Sequence, residues 1–93
     1  MDRMQIIHNG ERKGFFTGSN GTEAEITYRE KPNGTLVYNH TYVPAELRGK
    51  GVAGKLTRFA MEWAREHGRK VRATCPYIVS FLENHPEYED ILV

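Results

Sequence analysis

Hydrophobic side chains in this 93-residue chain alternate with a strand period before Pro44 and recur at helical spacing after it. A chain of this length supports one hydrophobic core, so a strand half and a helix half have to share it. Asn-Gly occurs three times in the first half, at Asn9-Gly10, Asn20-Gly21 and Asn33-Gly34. Both residues tolerate the positive φ of a type I′ turn, which makes each pair a hairpin signal. The pattern predicts an antiparallel meander with strands over Gln5–Asn9, Lys13–Gly18, Thr22–Glu30 and Thr35–Val43. In the third, Ala24, Ile26 and Tyr28 alternate with Glu23, Glu25 and Thr27, the signature of a half-buried strand. In the fourth, strict alternation puts Leu36, Tyr38, His40 and Tyr42 on one face and Val37, Asn39, Thr41 and Val43 on the other.

Beyond Pro44, the residues Val52, Leu56, Phe59, Ala60 and Trp63 form the apolar stripe of an amphipathic helix, with Arg58, Glu62, Arg65 and Glu66 outside it. Gly68 suits the end of that helix, and Lys70–Cys75 returns to strand character. Pro76 fits the first position of a second helix over Pro76–Asn84, which Pro86 ends. A helix between the last two strands lets them lie parallel. The expected fold class is therefore α+β, with a meander, a helix, a parallel strand and a C-terminal helix in one domain spanning residues 1–93.

The stretch Arg48-Gly49-Lys50-Gly51-Val52-Ala53-Gly54-Lys55 places three glycines and three cations directly ahead of and inside the start of the first helix. Glycine lets backbone approach an anion closely, and the first helical amides have no carbonyl partner within the helix. The helix dipole adds attraction for negative charge, so the segment is a candidate seat for a diphosphate. Gly49-x-x-x-x-Gly54-Lys55 also has Walker A spacing, but Leu56 stands where Ser or Thr would hold magnesium. A P-loop further needs a parallel sheet and a second metal-holding Asp, which this meander does not supply.

Charge restricts the partners. Thirteen Lys and Arg against twelve Asp and Glu leave a net charge of +1, which exerts no general pull on nucleic acid or membrane. A nucleic-acid surface built on Arg58, Arg65, Arg69, Lys70 and Arg72 is opposed by the acidic Glu83, Glu87, Glu89 and Asp90. No run is long and apolar enough for a signal peptide or a membrane span. The Asn-x-Thr sequons at Asn20, Asn33 and Asn39 then read as turn chemistry, and the expected location is cytoplasmic. One cysteine excludes an intramolecular disulfide, and no Cys/His spacing suggests a metal.

Arg48-x-x-Gly51-x-Ala53, between a strand with a short loop and a helix, resembles the acetyl-coenzyme A motif of the GNAT N-acetyltransferases. The longer run from His40 to Leu56, with Thr74-Cys75-Pro76-Tyr77 and Asn84-His85-Pro86-Glu87-Tyr88 downstream, resembles the small single-domain, YjdJ-type subgroup. The resemblance implies that the amides of Arg48, Gly49, Lys50, Gly51, Val52, Ala53 and Gly54 hold the pyrophosphate of acetyl-coenzyme A. It also implies that the pantetheine arm pairs with the strand end at Tyr42 and Val43. That strand would part from the one carrying Thr74 and Cys75, leaving a wedge for the thioester. Lys50, Lys55 and Arg58 are candidate contacts for the outer phosphates, and a bulky residue at Gly51 is expected to weaken binding by crowding the pyrophosphate, with little loss of fold.

Acetyl transfer to an amine needs a neutral nucleophile, a route for its proton and stabilisation of the oxyanion. His40 is the candidate base, because an imidazole ordinarily exchanges protons near neutral pH. Cys75, directly before Pro76, should cap the second helix, where the dipole favours thiolate and creates a candidate acetyl acceptor. Tyr77 and Tyr88 are two downstream tyrosines, of the kind that protonates the departing thiolate in larger relatives. Those relatives carry two helices where Asn9-Gly10 allows only a hairpin. The acceptor site is thus expected to be open or completed by another molecule. The acceptor is a primary amine on a small molecule or a protein, and the alternative function is a coenzyme A-binding module without turnover.

Overall fold

The computed structural model describes residues 5–19 and 21–93; residues 1–4 and Asn20, with its share of the second Asn-Gly turn and its sequon, lie outside them. Five strands run β1 (Ile7–Asn9), β2 (Gly14–Ser19), β3 (Thr22–Glu30), β4 (Leu36–Tyr42) and β5 (Val71–Ala73). Helix α1 spans Val52–Glu66 and α2 spans Pro76–Glu83, with short 3-10 turns at Ala45–Leu47 and Pro86–Ile91. The sheet order is β1-β2-β3-β4-β5. The first four strands are antiparallel, and β5 lies parallel to β4. This is the α+β arrangement expected from the change of period.

The hairpins form where Asn-Gly occurs, but not all by the expected turn. Asn9 pairs with Gly14 across a four-residue loop, and its side-chain oxygen accepts the amides of Glu11 and Arg12 at 3.0 Å each. Neither Asn9 nor Gly10 takes positive φ; Lys13 does, at 53°. In the third turn only Gly34 is left-handed, with φ 92°, and Asn33 accepts the Thr35 amide at 3.0 Å. Asparagine thus acts here through its side chain, as an Asx turn, rather than through a type I′ backbone.

One core holds these elements together. Phe15, Ala24, Ile26, Leu36 and Tyr38 from the sheet meet Leu56, Ala60, Met61 and Ala64 of α1 and Ile78 of α2, all fully buried. The buried stripe of α1 also takes in Thr57, whose hydroxyl donates to the Ala53 carbonyl at 2.8 Å. Phe59 and Trp63 border this stripe, half-buried against the core. Both helices cover the same face of the sheet. The opposite face carries Thr27, Glu25, His40 and Tyr42, with no helix of the described residues over them, and Arg12 lies 3.9 Å above the Phe16 ring.

Candidate active site

Strand β4 outruns its parallel neighbour. The two pair only through Leu36–Tyr38 and Val71–Ala73. The Tyr38 carbonyl then accepts the amides of Thr74 and Cys75 at 3.0 and 3.3 Å, and the chain turns away into α2. Among the described residues no strand accompanies the rest of β4 on this side. A splay therefore opens between the second half of β4 and the start of α2.

A bulge decides what faces it. Tyr28 pairs with Tyr38 and Thr27 with His40, so Asn39 is an extra residue and the register shifts there. The strict alternation expected for β4 is corrected at this point. Leu36 and Tyr38 face the core, but beyond Asn39 it is Thr41, opposite Ile26, that faces the helices. His40 and Tyr42 turn to the open face, opposite Thr27 and Glu25. Bulges bend a strand and break its ladder, which helps β4 leave β5.

Consecutive residues His40 and Thr41 thus point to opposite faces, and the two candidate catalytic groups, His40 and the Cys75 that meets Thr41, lie on opposite sides of the sheet. His40, with half its side chain exposed, places Nε2 3.1 Å from a Glu25 carboxylate oxygen. Cys75 is buried beneath the other face, its Sγ 3.5 Å from the Thr41 hydroxyl. It occupies the cap position of α2 ahead of Pro76, as its sequence position indicated. Burial pushes the thiol up, but the Thr41 hydroxyl and the amides of Ile78 and Tyr77 favour the thiolate more, leaving it below the ordinary thiol range. His40 and Cys75 share no hydrogen bond.

The glycine segment forms the mouth of the splay. After the 3-10 turn, Gly49 and Gly51 take φ 78° and 75°, and a Cβ on either would meet nothing within 4 Å. Gly51 caps α1 without a side-chain partner, and Lys55 makes the first helical bond, to the Gly51 carbonyl at 3.1 Å. The amides of Val52, Ala53 and Gly54 precede that bond, and the first turn holds no acidic residue. This is the arrangement that attracts an anion. Because Gly51 is left-handed, a bulky residue there strains the backbone whatever the space, so the expectation that it would spare the fold is corrected.

Other candidates separate. Arg48 donates Nε to the Val43 carbonyl at 2.8 Å, tying the loop to the end of β4. Lys50 is exposed on the loop and Lys55 on the first turn of α1. Arg58 is engaged near Glu87 and the Tyr88 hydroxyl at 3.6 and 3.5 Å, and Tyr88 is fully buried away from the splay. Tyr77 lies at the splay, its hydroxyl 3.8 Å from where a Gly54 Cβ would stand. Burial raises that phenol, partly offset by the nearby Thr57 hydroxyl. Arg65 and Arg69 are paired with Asp90 and Glu30, which opposes a nucleic-acid surface. A groove of about 440 Å³ lies elsewhere, between β5 and α2 near Val71, Val79 and Leu92. Sequence reasoning missed Glu25 and Thr41 as site neighbours, since only the bulge brings them to His40 and Cys75.

A splayed mixed sheet with a glycine-led helix at its mouth defines the class, and comparison with known proteins agrees. A profile for GCN5-related N-acetyltransferases matches residues 14–91, and the chain belongs to that family. It is 32% identical over 90 residues to Protein NATD1 of Danio rerio, covering 92% of this chain and 82% of that one. The Xenopus tropicalis NATD1 protein is 31% identical over 85 residues, with coverage of 89% and 78%. A solution NMR structure of a GCN5-like protein from Staphylococcus aureus superposes with a TM-score of 0.78. It is 34% identical and covers all of this chain and 91% of that one.

Proposed function

We propose that residues 1–93 form an acetyl-coenzyme A-binding domain that transfers acetyl to a primary amine. The observation that carries this reading is the uncapped first turn of α1 opening beside the β4–β5 splay. In a member of this acetyltransferase family, that pairing matches what a diphosphate joined to an amide-bearing arm requires. Amides of Gly49 through Gly54 would hold the diphosphate, with Lys50 and Lys55 as the exposed cations nearest the outer phosphates. The free edge of β4 up to Tyr42 and Val43 would pair with the pantetheine, satisfying backbone groups that a strand would otherwise bond.

Bound acetyl-coenzyme A would supply an activated acetyl thioester. The amine nitrogen attacks the carbonyl carbon, the C–N bond forms, the C–S bond breaks, and the sulfur leaves as thiolate. His40 takes the proton released by nitrogen, and Tyr77, the tyrosine at the splay, is the candidate donor to the departing sulfur. Cys75 lies across β4 from His40, so the candidate base and the thiol do not act as a pair, and direct attack of the amine requires only His40. A free buried thiol also suits a reducing, cytoplasmic setting.

Release of free coenzyme A thiol, followed across a panel of polyamines, peptide N-termini and lysine peptides, tests the reading. Acceptor-dependent release that His40→Ala lowers is expected. Acetyl-coenzyme A binding with no release on any amine would contradict turnover and leave a binding module.

A further inference from the structure

On the open face of the sheet, beside the splay, one carboxylate touches the candidate base. Glu25 sits diagonally across from His40, whose direct partner is Thr27. Diagonal neighbours are within reach of long side chains, and here the reach is 3.1 Å between Glu25 Oε2 and His40 Nε2. Glu25 is the more enclosed of the two, with a quarter of its side chain exposed against half for His40. It makes no other ion pair with a described residue; its strand neighbour Glu23 is paired with Arg12.

An ionised carboxylate only accepts hydrogen bonds, whereas a neutral imidazole donates from one nitrogen and accepts at the other. A His40–Glu25 bond therefore requires the proton on Nε2 and leaves the lone pair on Nδ1. That nitrogen has no hydrogen-bond partner among the described residues. An exposed pair of this kind contributes little to stability; its distinguishing effect is on which nitrogen is basic and how the ring is held.

We propose that Glu25 is the positioning residue of this site, holding His40 as the Nε2–H tautomer so that Nδ1 takes the proton of the acceptor amine. The inference rests on His40 being the base, and it depends on the bulge at Asn39. Without that extra residue His40 would share the buried face of Tyr38, away from Glu25.

Long-range ¹H–¹⁵N NMR of the free protein tests the tautomer without any acceptor. A neutral His40 protonated at Nε2 is expected, and an Nδ1–H ring would overturn the proposal. In turnover, Glu25→Gln is expected to lower kcat roughly ten- to a hundredfold with acetyl-coenzyme A binding unchanged, a part of the about 10²–10⁴-fold that a positioned base supplies. In His40→Ala the same change should cost nothing further, because Glu25 acts only through His40. Full activity of Glu25→Gln beside an impaired His40→Ala overturns the positioning role alone. Full activity of His40→Ala overturns the base assignment and the role of Glu25 with it.

Discussion

Gly54 is the residue whose replacement separates folding from binding. Its backbone is helical, and an added Cβ would meet only the Tyr77 hydroxyl, at an ordinary 3.8 Å. Glycine inside a helix costs about 0.5–1 kcal/mol relative to alanine, so Gly54→Ala is expected to raise the melting temperature of the free protein. The new methyl lies toward Tyr77 and the splay, so the further rise caused by acetyl-coenzyme A should shrink. An undiminished ligand shift would move the cofactor away from this turn. Gly51→Val should instead lower stability by roughly 1–2 kcal/mol, because its left-handed backbone disfavours a side chain.

Cys75 is expected to stay unmodified during turnover. Mixed with acetyl-coenzyme A and no acceptor, the protein should gain no acetyl mass, since direct attack leaves nothing on the thiol. A one-acetyl adduct that Cys75→Ala abolishes would show a covalent route instead. The cap position of Cys75 is legible in the Cys75-Pro76 pair alone. Its partner Thr41 is not, because an unbroken alternation assigns that side chain to the wrong face.

At the level of elements, the meander, both helices and the parallel fifth strand follow from period and punctuation. The bulge in β4 does not, because Asn39 lies inside a run whose every second residue is plausible for either face. Turn geometry was equally hidden, since Asn9 and Asn33 use side-chain acceptors where backbone tolerance alone suggested type I′. The glycine segment could be located but the splay beside it only expected, as strand separation depends on where pairing stops. Phe15 joins these elements, with Tyr38, Phe59 and Trp63 rings 5.6–6.0 Å away. Phe15→Ala is expected to cost about 3–5 kcal/mol, measured by denaturant unfolding. A loss below 1 kcal/mol would contradict its place at the centre of the core.

For the whole molecule, the N-terminal strand is held to α1 by a three-ring stack. The Trp63 ring lies between those of His8 and His67, at 4.1 and 4.0 Å, and His8 Nε2 meets the Tyr28 hydroxyl at 2.7 Å. Burial, with the nearby His67, lowers the pKa of His8 below 6.5. The unfolded chain then binds the His8 proton more readily, so this contribution is complete above about pH 6.5 and is lost as pH falls toward the lowered value. Urea unfolding between pH 7 and 5 should show a smaller decline in His8→Gln than in the unaltered protein. Equal declines would assign the acid sensitivity to other groups.

Amide NMR shows whether the glycine-led helix and the β4–β5 splay together receive acetyl-coenzyme A. A ¹H–¹⁵N titration with acetyl-coenzyme A should move the Gly49–Gly54 amides, the β4 edge from Asn39 to Val43, and the Thr74–Tyr77 turn together, with magnesium ATP doing much less. Shifts confined to the groove near Val71, Val79 and Leu92, or a stronger response to magnesium ATP, would contradict that placement of the cofactor.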